Sequence, residues 1–359
     1  MKLFPVKFSA GSIELDGIVR ALDHYQRFKI EMVTNEPEPI VLGRSLKGEW
    51  KVIQRGQRLF TDQDFEKLGA AIEQELQKLH CMDHMLVLTD FSDAAQQAAE
   101  YAAGLTRQLK TSEMLLYHSY QSLPQPAIGS FPLAPGFVES SEKSLEKVVA
   151  LKYHLRDMVS GHTTVMVRND QRPLLEAVNT LIEQFRTGLV VMGITGKNNL
   201  EQVLIGSHTI ELAKQCMAPL LIVPQGASFK PIEKVVFACD MKQVGQTIPI
   251  YAIRTLLHAL GARLLILNVH DRSVRVDPEH IGELSQLQQL LDQEQPEYHY
   301  TDQGDIAKGI MDFADQHQAD LVLTVPKAYG FFEGLFHQSV TRRLAYHSHL
   351  PLLLFRDED

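Results

Sequence analysis

From Met85 onward the chain alternates short apolar runs with amphipathic stretches. MLVLTDFS, MLLYHSY, TTVMVRN, GLVVMG and APLLIVP read as strands. Between them DAAQQAAEYAAGLTRQL, VESSEKSLEKVVALKYHLRDMV, PLLEAVNTLIEQF and HTIELAKQC read as helices. Strands alternating with helices predict parallel βαβ units. Ser92 is placed to cap the first of these helices. A Pro- and Gly-rich loop, Gln121–Phe137, separates the second strand from its helix.

The pattern then recurs. KVVFACD matches MLVLTD, LLILNVH matches LLYHSY, EYHYTD matches VMVRND, and PLLLF matches PLLIV. Asp240 follows Asp90 by 150 residues, and Asn268 follows His118 by the same 150. Pro351 follows Pro219 by 132, as Asp302 follows Asp170. Two offsets, each held across several landmarks, indicate a tandem duplication. They place the whole 18-residue loss between the second and third strands, where the first copy has its Pro-rich loop. Pro231 and the segment Gln225–Lys234 form the linker.

Residues 1–80 differ. PIVLGRSLKGEWKVIQRG suggests two extended runs around Lys47-Gly48, and Thr61–Asp64 caps an amphipathic helix from Phe65 to Leu79. The division expected is therefore a small α+β unit over 1–80, a first α/β domain over 83–226 and a second over 232–359.

Composition narrows the classes. The 359 residues are 45% hydrophobic and 22% charged, as in a soluble globular protein of two or three domains. A net charge of −9 without a basic run argues against nucleic-acid or anionic-membrane partners. No window of about 18 apolar residues suggests a membrane span, and MKLFPVKFSAGSIELDG has no apolar core long enough for a signal peptide. Cys81, Cys216 and Cys239 show no CxxC spacing, which fits reduced thiols in a cytoplasmic protein.

Candidate chemistry concentrates in VVMGITGKNNLEQVLIGSHT. Gly193, Gly196 and Gly206 are spaced G-x2-G-x9-G and followed by Ser207. A strand entering a glycine loop that enters a helix offers bare backbone N–H groups and a helix dipole to phosphate. GxxG alone is weak, because a turn needing positive φ would also use it. Asp90, at the end of its strand, suits a hydrogen bond to a base or ribose, or equally a helix cap. In the second copy Val325, Ala328 and Gln338 replace the glycines, and YGFFEGLF adds bulk, so that copy is not expected to hold a nucleotide in the same way. Walker A, GxGxxG and GxSxG patterns are missing from the sequence.

At these residues the chain resembles the universal stress protein family, over about residues 83–356 as two tandem domains. The first domain carries that family's G-x2-G-x9-G-[S/T] signature, and LVLTDFS resembles its opening strand and aspartate. The resemblance implies two tandem open five-stranded parallel sheets with helices on both faces, like adenine nucleotide alpha hydrolases. It implies pairing of the repeats through their last strands, with a homodimer or a protein partner through the N-terminal unit as further expectations. It implies ATP, or ADP or AMP, with Mg²⁺ or Mn²⁺ on the phosphates. It places Asp90, flanked by Thr89 and Phe91, against adenosine, and Val167 along the adenine. Met192, Gly193, Gly196, Lys197, Asn198, Gly206, Ser207, His208 and Thr209 then surround ribose and phosphates. Leu88 and Asn169 depart from the family's frequent proline and glycine. Members are mostly nucleotide-responsive regulators, with slow hydrolysis or self-phosphorylation implied only for some. The rivals are an interaction scaffold without nucleotide and an adenylating enzyme of related fold. Against the enzyme, TDFSDAA has no glycine after the first strand.

Overall fold

A computed structural model describes residues 3–22, 27–33, 38–45, 49–56, 59–79, 82–120, 141–194, 207–270, 279–326, 344 and 349–356. Lys47-Gly48, the Pro-rich loop, Cys81, the loop residues 195–206 and the aromatic-rich YGFFEGLF segment lie outside them.

The N-terminal unit holds more strand than expected. Strands β1 (Leu3–Ala10), β2 (Ile13–Leu22), β3 (Arg27–Met32), β4 (Ile40–Arg44) and β5 (Trp50–Gln54) form an antiparallel meander. Phe4, Val6 and Phe8 alternate inward along β1, and Phe28, Ile30 and Met32 along β3. Helix α1 (Asp62–Leu79) lays Phe65, Leu68, Ile72 and Leu76 on that face. Its start is a reciprocal cap: Asp64 N donates to Thr61 Oγ1 at 3.2 Å, and Thr61 N donates to Asp64 Oδ2 at 2.9 Å.

The first repeat runs β6 (His84–Leu88), α2 (Asp93–Leu109), β7 (Glu113–Ser119), α3 (Ser141–Leu155), β8 (Thr164–Asp170), α4 (Leu174–Phe185), β9 (Leu189–Ile194), α5 (Ser207–Gln215) and β10 (Leu220–Pro224). The second runs β11 (Lys234–Ala238), α6 (Val244–Thr247), α7 (Ile250–Leu260), β12 (Arg263–His270), α8 (Glu279–Leu291), β13 (Glu297–Asp302), α9 (Ile306–Gln316), β14 (Leu321–Thr324) and β15 (Leu352–Leu354). Each repeat is a five-stranded parallel sheet in the order third, second, first, fourth, fifth. Their last strands, β10 and β15, pair antiparallel, with Leu221 opposite Leu353, so the two sheets join into one of ten strands. One apolar layer runs under α2, α3, α7 and α8 and another under α4, α5 and α9, both continuous across the seam.

Register corrects one correspondence drawn from sequence. Leu116 pairs with Val167 in the first repeat, whereas Ile266 pairs with Tyr298 in the second. Leu116 and Ile266 are 150 apart, but Val167 and Tyr298 are 131 apart. The third strand has therefore slipped by one residue against the 132 offset, which holds again at β9 and β14. A one-residue slip reverses the face of every side chain. Asp302 thus corresponds to Gln171 by 131 and not to Asp170 by 132; it pairs with His270, while Asp170 pairs with Ser119 and has Thr301 as its counterpart.

Helix α2 also ties the repeats together. Gln97, Tyr101, Gly104 and Gln108 form a stripe along it. Gly226 N donates to Gln97 Oε1, the Phe229 ring sits edge-on to Tyr101, and Gln108 bonds both N and O of Ile232 and the Leu260 carbonyl. The N-terminal unit docks on the second repeat through Tyr251 at the start of α7. Tyr251 donates to Glu73 Oε1 at 3.3 Å, and the Arg44 guanidinium lies over its ring while pairing with Glu73.

Candidate functional site

In the first repeat the strand order reverses between β6 and β9, and the crevice beyond the carboxyl ends of strands at such a point is where α/β sheets take ligands. A cavity of about 640 Å³ opens there. Leu88, Thr89 and Asp90 reach it from β6, Tyr117, His118 and Ser119 from β7, and Met192, Gly193 and Ile194 from β9. The first turn of α2, the entry to α4 and His208 and Thr209 of α5 complete its wall. Apolar surface from Leu88, Leu174, Met192 and Ile194 alternates with polar groups from Thr89, Asp90, His118, Arg172 and Thr209, a mixture suited to a small-molecule ligand with both apolar and polar parts.

The turn after β6 is fixed by its own side chains. Asp90 Oδ1 accepts from Ser92 N at 3.0 Å and Ser92 Oγ at 2.6 Å. Ser92 in turn caps α2 by accepting from Ala95 N at 3.3 Å. Phe91 between them sits at φ 64°, the left-handed region, and its ring packs on His118. His118 Nδ1 donates to Thr89 O at 2.7 Å. The second repeat keeps this scaffold: Asp240 Oδ1 accepts from Lys242 N, Met241 sits at φ 52°, and Asn268 donates to Cys239 O. Asp90 and its counterpart Asp240 therefore both serve the fold, whatever Asp90 also offers a ligand.

Gly193 has a packing role that spacing did not reveal. A Cβ there would lie 2.2 Å from Ala94 O and 2.8 Å from Ala95 N. Ala94, Ala95, Ala98, Ala99, Ala102 and Ala103 are buried beneath α2, so the helix rides low enough for its first turn to touch bare backbone of β9. In the second repeat Val325 stands here, buried in the same apolar layer as Met241, Val244 and Ile248. The helix opposite is broken into α6 and α7, with Ile248 extended and Pro249 before α7.

The edge of the cavity beside β8 carries a network absent from the sequence reading. Tyr117 OH donates to Asp170 Oδ1 at 2.7 Å. Arg172 reaches Asp170 Oδ2 through Nε at 3.1 Å and Nη2 at 2.6 Å, and Oδ1 through its backbone N at 3.2 Å. Ser119 Oγ donates to the Arg172 carbonyl at 2.7 Å. Partial burial opposes ionisation of Asp170, but the bonds from Arg172 and Tyr117 outweigh it and hold the carboxyl below the usual range. A lowered native value stabilises the fold fully above the unfolded value, about pH 4, and that stabilisation is lost as pH falls through the native value. Denaturation midpoints followed from pH 6 downward are expected to fall more steeply in the wild type than in Asp170→Asn below about pH 4. Parallel profiles would count against this role.

Among the expected site residues, Thr89, Asp90, Met192, Gly193, His208 and Thr209 come together on the cavity. Phe91 and Val167 are not among its lining residues; both pack into the apolar layer under α2 and α3. Ser207 opens α5, and Gly196, Lys197, Asn198 and Gly206 lie outside the described residues. Tyr117, Ser119 and Arg172 were missed. Arg172 directly precedes Pro173 at the entry to α4, a loop position at a strand end, which was the available signal. No helix among the described residues is long and apolar enough to cross a membrane.

Comparison with known proteins agrees with this architecture. The sequence profile of the universal stress protein family matches residues 82–224 and 231–356. A universal stress protein of Methanocaldococcus jannaschii is 28% identical over 142 residues, 39% of this chain and 80% of that protein. One from Synechocystis sp. is 24% identical over 298 residues, 77% of this chain and 100% of that protein. The crystal structure of a universal stress protein from Archaeoglobus fulgidus superposes with a TM-score of 0.55 at 14% identity, covering 77% of this chain and 98% of that one. With two consecutive profile matches falling on the two repeats, the chain belongs to the universal stress protein family.

Proposed function

We propose that the first repeat binds an adenine nucleotide, ATP in the first instance, and that the protein is a nucleotide-responsive regulator of a stress response with one working site per chain. The observation that carries the reading is the cavity at the β6–β9 reversal, where the first turns of two helices, α2 and α5, meet an apolar wall. Helix N-termini favour phosphate, and the glycine signature leads directly into α5. Thr209 contributes a hydroxyl in the first turn of α5, and Leu88, Met192, Ile194 and Leu174 supply the apolar surface a base requires. A divalent cation, Mg²⁺ or Mn²⁺, would accompany the phosphates and neutralise their charge.

The second repeat contributes fold and not a second site, since Val325 fills the place of Gly193. Regulation follows from mass action: a ligand that binds one arrangement stabilises it against others. The N-terminal unit, docked on the second repeat through Tyr251, is the part we propose for contact with a protein partner.

Calorimetric titration of ATP with Mg²⁺ tests this. The wild type is expected to take up about one nucleotide per chain. Thr209→Val keeps shape and removes the hydroxyl, so affinity should fall roughly tenfold, the scale of a hydrogen bond to a charged group. Gly206→Val should abolish binding. Absence of uptake by the wild type would replace this reading with that of an interaction scaffold.

A further inference from the structure

The Tyr117–Asp170–Arg172 network lies at the end of the cavity away from α5. Strand β8 is three strand positions from β9, and at about 4.8 Å per strand this separates the two ends by roughly 14 Å. A nucleotide whose phosphates rest at α5 therefore places its base toward Arg172. This step rests on the nucleotide reading above.

Arg172 is unusually constrained for a residue at a cavity mouth. Its backbone N, backbone O, Nε and Nη2 are all engaged, by Asp170 and Ser119. Asp170 is itself held by Tyr117, whose side chain is fully buried in the body of the sheet. With Nε and Nη2 on one carboxylate, the guanidinium plane is fixed beside the cavity that Arg172 helps to line. Arg172 pairs with Asp170 at 2.6 Å, a carboxylate that Arg168 also approaches at 3.9 Å, so two of the Arg172 donor groups are committed within the protein. A fixed, planar guanidinium suits stacking on a base.

The second repeat supplies an internal comparison. At register-equivalent positions Leu267 replaces Tyr117, Val269 replaces Ser119 and Thr301 replaces Asp170. The network is lost in the same repeat that lost the glycine signature.

We propose that Arg172 is the base-selecting residue of the first repeat, favouring a purine over a pyrimidine nucleotide by stacking, with Asp170 and Tyr117 as the positioning residues that hold its plane. The larger purine ring offers more face to the guanidinium, and an ammonium cannot substitute for it.

The test is titration of the full chain with ATP, CTP and inorganic tripolyphosphate, each with Mg²⁺. The wild type is expected to prefer ATP over CTP by roughly tenfold. Arg172→Ala and Arg172→Lys should both bring that ratio close to one by weakening ATP, with tripolyphosphate binding unchanged. Tyr117→Phe should give an intermediate ratio. An ATP-to-CTP ratio unchanged in Arg172→Ala overturns the assignment alone. Tripolyphosphate affinity falling in step with ATP also overturns it, by making Arg172 a phosphate ligand. Failure of the wild type to bind either nucleotide overturns the nucleotide reading and this assignment with it.

Discussion

Gly193→Ala is expected to destabilise the protein by about 3 kcal/mol, at the upper end of the range for overpacking a closed interior. The added Cβ meets backbone on both near sides, Ala94 O at 2.2 Å and Ala95 N at 2.8 Å, and backbone has no rotamer with which to retreat. Either β9 or the first turn of α2 must shift. Moving α2 breaks the Ser92 cap and the Asp90 turn, which together position the cavity wall. Denaturant unfolding and the ATP titration should thus fail together in this variant. In a domain of 150–250 residues a loss of that size lowers the thermal midpoint by roughly 6–12 °C. The converse change in the second repeat is the control. Val325→Gly removes a buried side chain from the layer around Met241, Val244 and Ile248, so it costs stability by leaving a cavity and leaves nucleotide uptake unchanged. A Gly193→Ala protein as stable as the wild type would show that β9 and α2 part to admit a Cβ without cost, and would remove the packing role of Gly193.

Leu353→Ala is expected to cost about 3 kcal/mol as well, for a different reason. Leu353 is 1% exposed on β15 and faces Leu221 across the antiparallel seam that makes one sheet of two. Three residue pairs hold that seam, so each side chain carries a large share of it. Truncation removes buried apolar surface and opens a void between the halves. The same truncation at Leu221 should be less than additive with it, because both line one void. The readout is urea unfolding. The double variant is expected to unfold in two steps where the wild type unfolds in one, as the halves separate before either melts. A single transition with additive losses would mean that the halves are held by the α2–linker contacts at Gln108 and Phe229 more than by the seam.

Much of the architecture is local enough to be written in the chain. The apolar runs and amphipathic intervals set the order of strands and helices, because burial on one face imposes the period of each element. Ser92 as a cap acts within three residues, so spacing alone identifies it, whereas Asp90, open to reading as a cap itself, instead holds the turn by accepting from Ser92. The tandem duplication, and the loss of the glycines from its second copy, are likewise properties of the sequence. The N-terminal meander was undercounted, although burial alternates along β1 and β2, because apolar Leu3, Ile13 and Ile18 stand on the exposed face and blur the apolar–polar alternation in the sequence.

Tertiary structure decided the rest, and each case concerns groups brought together from far apart. Gly193 reads as a phosphate-loop glycine in sequence, yet its immediate constraint is the backbone of Ala94, 99 residues earlier. Arg172 carries no motif in the sequence, and becomes a fixed plane only when Asp170 meets Tyr117 from the neighbouring strand. The one-residue slip of β13 is invisible to residue spacing, because matching aspartates can be aligned in sequence while their side chains lie on opposite faces of a sheet. Periodicity tells a chain which side of an element to bury; what that side then touches is fixed only when the sheet assembles and sets strand order and register.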